Sequence, residues 1–512
     1  MAALTLPESA NPHRGAITIC VMLATIMQAL DTTIANVALP YMQSSLSASQ
    51  DQINLVLTSY IVTAAIMMPA TGWMAARWGR KNFFLLSVAG FTATSVLCGM
   101  ATSLEEMVLF RLLQGIFGAP LVPLSQAVLL DEYPKEQHGS AMALWGVGVM
   151  VGPILGPTLG GWLTEYYNWR WVFYINLPVG ALTLFGLVAY MKRTEATPGL
   201  FFDWFGFITL ALAIGSLQMM LDRGEQLEWF DSPEIMIEAA CAGLAAYLFV
   251  VHNLTAERTF LDLRLFRDRN FVTGIIFIFV IGVILLATLA LLAPFLQTLL
   301  GYPVLDAGIL LAPRGIGTMV AMMMVGRLLS RVDARWLVAL GIVLTALALW
   351  QMSRFSLDVT RTMLVSTGVI QGLGLGFIFI PMSVITFSSL PTDLRTSGTA
   401  LFSLSRNIGS SIGISVMIFL LGQNTHKIHA SLTEYIQPFR EPMQHLPDML
   451  DPGAVTGRVM LDGLVTKQAV LVAFLDDFYI MFIIALLALP LVLLMRHPDH
   501  KLDDEEVSAA IE

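Results

Sequence analysis

The sequence predicts an all-α polytopic membrane protein with about fourteen spanning helices. Three observations predict it. First, 56% of the 512 residues are hydrophobic. Second, only 13% are charged, against about 25% in an ordinary soluble domain, so a water-facing surface cannot be covered with charge. Third, apolar stretches of about 18 residues or more recur from end to end, each long enough to cross a bilayer. Lipid leaves no water to satisfy exposed backbone, so only helices or closed barrels can span it. These stretches are too long and too uniformly apolar for barrel strands.

Taken in order, the candidate spans are 15–39, 52–75, 82–101, 106–129, 139–165, 171–191, 204–221, 233–252, 271–299, 305–330, 336–353, 361–388, 396–422 and 478–496. The first is longer than a signal-peptide core, carries Asp31 and lacks a convincing cleavage site, so it stays as a helix. Basic residues in short loops mark the cytoplasmic side. Arg77, Arg80 and Lys81 follow the second span, Lys192 and Arg193 the sixth, Arg258, Arg264, Arg267 and Arg269 the eighth, and Arg331 and Arg335 the tenth. All these loops share one side, which places both termini in the cytoplasm. The stretch from Gln423 to Asp477 then reads as one sizeable extracytoplasmic loop.

Internal repetition sets the architecture. Gly72 to Arg77 is echoed by Gly326 to Arg331, and Gln114-Gly115 by Gln371-Gly372. Ser140 to Leu144, followed by Gly152 and Gly156, is echoed by Ser397 to Leu401, followed by Gly409 and Gly413. These echoes map spans two, four and five onto ten, twelve and thirteen. The chain therefore divides into a cytoplasmic N-terminus 1–14, a six-helix bundle 15–193, an inserted helix pair 194–257, a second six-helix bundle 258–496 that includes the loop 423–477, and a cytoplasmic tail 497–512. Parallel repeats about an axis normal to the membrane are the major facilitator arrangement, with a substrate site between the halves.

Several function classes are disfavoured. The formal charge of −9 with no basic tract leaves no nucleic-acid footprint. Cys20, Cys98 and Cys241 are far apart in apolar segments and show no metal-ligand spacing. No phosphate-binding GxxxxGK[ST] loop occurs, so ATP is not expected as the direct energy source. The spans show no nucleophile–base pair or His-rich cluster of the kind an intramembrane enzyme needs.

Asp31 is the first candidate residue. A carboxylate within a span costs about 2.5 to 3.5 kcal/mol on insertion scales, so it is expected to face a cavity or a partner. Such an acid can take up and release a proton as access alternates; the bland alternative is a structural hydrogen bond to Thr32 or Asn36. Arg111 is its candidate partner. At 1.5 Å rise per residue Asp31 lies about 12 Å from the outer end of its span and Arg111 about 8 Å from that of its own. Arg111 could instead pair with Glu105 or Glu106, or reach the headgroups. Gly148, Gly152, Gly156 and Gly160 form a stripe along one helix face that permits close backbone approach. Pro153 and Pro157 should kink or weaken that helix, making it a candidate seam between rocking halves; ordinary small-residue packing is the bland alternative. Arg314 and Arg406 are further intramembrane cations, which either line the path, as Gln114 could, or bind carbonyls. Glu165, Glu238, Asp203, Asp476 and Asp477 lie near expected membrane boundaries, where solvation is the simpler reading.

Nearly the whole chain resembles the major facilitator superfamily, and within it the fourteen-helix drug:proton antiporters of the EmrB/QacA type. Leu30-Asp-Thr-Thr-Ile-Ala-Asn-Val-Ala-Leu-Pro40 is similar to that group's first-helix signature. Gly72 to Lys81, with Gly72, Arg77, Gly79 and Arg80 in place, resembles the superfamily's cytoplasmic gating loop, although Ala76 stands where many members carry an aspartate. Gly148 to Gly161 resembles the antiporter motif of exporters. The resemblance implies that Arg111, in an R-x-x-Q-G pattern with Gln114 and Gly115, takes part in proton transfer. It also implies a multidrug exporter with protons as coupling ion and no other cofactor, which expels antibiotics and lipophilic uncouplers. Its implied partners are a periplasmic membrane-fusion protein and an outer-membrane channel, in a bacterial inner membrane. A narrow-specificity metabolite exporter on the same fold and a non-transporting receptor or assembly subunit are the rival readings.

Overall fold

A computed structural model describes residues 13–495 apart from 195, 198, 257, 260, 437–446, 448–449 and 451–453. The expected termini fall almost wholly outside these residues. Fourteen spans are present among the described residues when one bent pair counts once. They are α1 (Arg14–Ser45), α2 (Leu55–Met67 with Thr71–Trp78), α3 (Arg80–Met100), α4 (Leu104–Glu132), α5 (His138–Tyr166), α6 (Trp171–Tyr190) and α7 (Trp204–Arg223). There follow α8 (Pro233–Thr255), α9 (Arg269–Leu299), α10 (Val304–Leu328), α11 (Ala334–Met352), α12 (Arg361–Ser388), α13 (Thr392–Thr433) and α14 (Val455–Leu494).

The two pieces of α2 meet at 61°. Pro69 stands at the break and offers no backbone donor, and the N–H groups of Ala70 and Thr71 turn to Met67 O and Met68 O in tighter i→i+3 bonds. By contrast, α5 continues as one helix through Pro153 and Pro157, so the expected weakening there does not interrupt it.

The expected loop 423–477 is corrected. Helix α13 runs on to Thr433 and α14 already begins at Val455. Neither stretch contains a proline, and polar residues are no obstacle to a helix that has left the lipid. At 1.5 Å per residue α13 is about 63 Å long, roughly twice the ~30 Å hydrocarbon core. His429 Nε2 and Asp462 Oδ1, 3.0 Å apart, tie the two extensions together.

The two sets of six pack by one scheme. In the first, α1 lies on α5 and α6, α2 on α4, and α3 between α4 and α6; in the second, α9 lies on α13 and α14, α10 on α12, and α11 between α12 and α14. The halves meet where α5 lies along α10 and α12, and where α13 meets α4 and the Thr71–Trp78 piece of α2. Small residues make this seam tight: a Cβ on Gly326 would stand 2.8 Å from that of Ala143, and one on Gly139 2.8 Å from Leu329 Cδ1. Helix α7 packs on both α2 and α13, while α8 packs chiefly on α7.

A buried ion pair as the candidate functional site

Asp31 is fully buried in α1 and faces Arg111 of α4, which is 1% exposed. Arg111 Nη1 donates to Asp31 Oδ2 at 2.6 Å and to Gln114 Oε1 at 2.7 Å, and its Nε donates to Val56 O at 3.0 Å. Asp31 Oδ1 accepts from Gln114 Nε2 at 2.9 Å and from Asn176 Nδ2 of α6 at 3.2 Å. Asn176 also donates to Ser95 Oγ of α3 at 2.9 Å. The guanidinium carbon lies 4.4 Å from the centroid of the Tyr60 ring, a cation–π contact within a desolvated site.

This closed set leaves both charges paired and hydrogen-bonded, the condition under which buried charges persist. A proton arriving at Asp31 Oδ2 would compete directly with Arg111 Nη1. Other contacts weighed from the sequence are not made among the described residues: Thr32 donates to Ala29 O and Asn36 to Thr32 O, not to Asp31, and Glu106 accepts from Thr102 at the helix start.

The glycine stripe of α5 brings α1 into place. A Cβ on Gly152 would stand 2.6 Å from Ala29 C, one on Gly156 would collide with Thr33 Oγ1, and ones on Gly148 and Gly160 would meet Met22 and Ile34. Thr33 Oγ1 donates to Gly152 O at 3.1 Å, a bond available only at this closeness. The stripe thus faces α1 of its own half. The expected seam toward the other half is a different face of α5, carrying Gly139, Ala143 and Gly146.

At the end of the molecule that carries the loop after α2, the halves are closed on each other. Gly72 is pressed on Ser397 of α13. Gly79 adopts φ +80°, ψ 139°, a region reserved for glycine. Arg80 pairs with Asp131, which Arg395 Nη1 also contacts at 2.8 Å, and Arg80 Nη2 donates to Thr392 O at 2.6 Å. Ala76 brings no carboxylate to this loop, and the acid that Arg80 meets is Asp131 of α4. Arg77 joins no ion pair among the described residues, and its buried Nη1 lacks a hydrogen-bond partner.

Among the described residues the second half does not repeat the ion pair. A Cβ on Gly115 would meet Tyr60 O, and one on Gly372 would meet Arg314 O, so Arg314 stands in the place of Tyr60. Arg314 Nη2 donates to Leu285 O of α9 at 2.9 Å. Its side chain borders a void of about 10 Å³ with Leu292, Leu296 and Gly368, room for about one water. Arg406 lies elsewhere, 5.9 Å from the Phe379 ring centroid. That ring stacks on Trp145 of α5 at 6.1 Å and 15°. A cation and two aromatic rings thus meet where the halves face each other.

Of the residues singled out in the sequence, the fold brings Asp31, Arg111 and Gln114 together and leaves Arg314 and Arg406 apart from them. Gln114 is wholly buried in the network and does not line an open path. Sequence reasoning missed Asn176, Ser95, Tyr60, Asp131 and Arg395. An asparagine inside α6 was the one available signal.

Comparison with known proteins agrees with this architecture. The Major Facilitator Superfamily model matches residues 21–414. The multidrug export protein EmrB of Escherichia coli K12 is 35% identical over 500 residues, covering 96% of this chain and 98% of that protein. The fatty acid resistance protein FarB of Neisseria gonorrhoeae is 34% identical over 499 residues, with 96% and 98% covered. Among solved structures, the human organic anion transporter MFSD10 superimposes with a TM-score of 0.59 over 93% of this chain and 100% of its own, at 13% identity, a likeness of fold alone. The chain belongs to the Major Facilitator Superfamily, in its EmrB-type branch.

Proposed function

We propose that this protein is a proton-driven multidrug exporter working by alternating access in a bacterial inner membrane, with both termini in the cytoplasm. The observation that carries the reading is the buried Asp31–Arg111 pair, held by Gln114 and Asn176 on three helices of one half. A proton that neutralises Asp31 frees Arg111 from its counter-charge, and the helices bearing them, α1 and α4, pack on the seam helices α5 and α13. Protonation and rearrangement of the halves are thereby coupled. Resemblance to proteins named for multidrug export and fatty acid resistance supports small hydrophobic cargo. The Trp145–Phe379–Arg406 group supports cargo that joins an apolar body to a negative charge. The same resemblance supports a periplasmic membrane-fusion protein and an outer-membrane channel as partners.

Proteoliposomes with an imposed pH gradient test this reading. Substrate should be driven against its gradient with counter-flow of protons, and Asp31→Asn should abolish the drive while leaving substrate binding largely intact. Export by Asp31→Asn at the rate of the unaltered protein would remove Asp31 from the mechanism. Transport of a single chemical class, with unrelated hydrophobic compounds ignored, would favour the narrow-specificity rival.

A further inference from the structure

The second half contains an acid for which the ion pair of the first half offers no role. Asp477 lies within α14, 0% exposed, and neither carboxyl oxygen has a hydrogen-bond partner among the described residues. Solvation, the simpler reading of its place in the sequence, does not apply: the residue lies 22 positions into α14, which begins at Val455, and its side chain is wholly inside the protein. Phe474 and Phe478, on either side of it, clasp Phe295 of α9 at 5.5 and 6.2 Å between centroids. Met481, one turn further on, receives Thr288 Oγ1 of α9 at 3.6 Å.

Two other polar groups without a full set of partners among the described residues border the same stretch of α9. Gln371 of α12, the repeat counterpart of Gln114, donates through Nε2 to Thr288 Oγ1 at 3.3 Å, while its Oε1 is buried without a partner. Arg314 donates one nitrogen to Leu285 O, and its Nη1 is buried without a partner. In the first half the glutamine amide donates to a carboxylate; in the second an acid, an amide oxygen and a guanidinium nitrogen all wait unpaired. A carboxylate carrying charge with no donor on either oxygen is not sustainable in such a site, whereas a neutral carboxylic acid is. Few charges surround it. Between their terminal arginines, Arg269 on α9 and Arg335 on α11, and the far ends of those helices there is no titratable side chain. Helix α13 carries Asp393 and Arg395 in its first turn and Arg406, His426, Lys427 and His429 beyond it, and α14 itself carries Arg458, Asp462, Lys467, the neighbouring Asp476 and Tyr479.

We propose that Asp477 is a second proton-exchanging carboxyl: it holds its proton in this conformation and releases it to water when rearrangement of the second half brings donors such as Arg314 Nη1 to its oxygens. The ligand is the proton itself; the O–H bond of Asp477 breaks and the resulting carboxylate takes the waiting donors. This deepens the proton-coupled reading and rests on it. Each half then contributes one carboxyl, on α1 in the first and α14 in the second.

The test uses the full-length protein in lipid nanodiscs and in proteoliposomes. Infrared difference spectra across a pH titration should show a protonated-carboxyl band at neutral pH in the unaltered protein that disappears in Asp477→Asn and persists in Asp31→Asn. Retention of that band in Asp477→Asn, or its absence from the unaltered protein, overturns the proposal. Protons exchanged per substrate should fall by about half in Asp477→Asn, and an unchanged count would equally overturn it. Should Asp477→Asn fail to fold, substrate-induced proton release is measured on detergent-free Asp31→Asn: release of about half the normal count sustains the second site, and none refutes it. If the unaltered protein moves no protons, the exporter reading fails, while the infrared band still decides the state of Asp477.

Discussion

Asp31→Asn should destabilise the protein more than Arg111→Leu, and the geometry says why. Three donors converge on two carboxylate oxygens: Arg111 Nη1 on Oδ2, and Gln114 Nε2 with Asn176 Nδ2 on Oδ1. An asparagine offers one acceptor oxygen and one NH2 group, so in either orientation at least one donor faces a donor. If its oxygen takes Gln114 and Asn176, its NH2 meets the guanidinium; if it takes Arg111, its NH2 meets two amides. Neither amide is free to turn, since Gln114 Oε1 accepts from Arg111 and Asn176 Nδ2 donates to Ser95. Removing one partner of such a buried pair costs about 3–5 kcal/mol. Arg111 cannot shed its charge, so Asp31→Asn should sit at the upper end. In Arg111→Leu the acid keeps its two amide donors, so that variant should sit at the lower end. Reversible unfolding in mixed micelles measures both variants. Equal stability of Asp31→Asn and the unaltered protein, or a larger deficit in Arg111→Leu than in Asp31→Asn, would refute the reasoning.

Other outcomes follow from the same contacts. Gly152→Ala should lose about 1–3 kcal/mol through overpacking, because its new Cβ meets Ala29 backbone at 2.6 Å, whereas Gly161→Ala, with nothing within 4 Å, should unfold like the unaltered protein in the same micelles. Asp131→Asn leaves Arg80 and Arg395 facing one another without their shared carboxylate; loss of about 1.5 kcal/mol or more should raise the population open at that end about tenfold, read as faster maleimide labelling of Ser397→Cys. Arg406→Gln should weaken export of hydrophobic anions several-fold while sparing neutral hydrophobes, as competition uptake into inverted vesicles would show.

Much of the fold was legible because lipid enforces simple rules. Apolar length marked the spans, and the Gln-Gly and Ser-x-x-Ala-Leu echoes marked the repeat. The Asp31–Arg111 pair was legible by counting rise per residue, since two charges at one depth in a bilayer have strong reason to meet. Asn176 was not, because a single amide within a span gains meaning only once α6 is known to lie on α1. Asp131 and Arg395, 264 residues apart in sequence, carry no local signal of their contact. The glycine stripe was visible, but its neighbour was not: the same spacing serves a seam between halves or, as here, the approach of α1. The extension of α13 and the early start of α14 look like loop in the sequence because polarity outweighs the absence of proline.

Helix α7 holds both bundles at once. Its Gly215 lies against Ile66 of α2, while Gln218 Nε2 donates to Ser411 Oγ at 2.8 Å and Leu221 O accepts from Ser415 Oγ at 2.8 Å, both on α13. Any swing that separates α2 from α13 at this level must break one set of these contacts or drag the helix with one side. Helix α7 therefore straps the two halves together, restricting how far they can part at this level, and shortening its grip on α13 would be the way to loosen them.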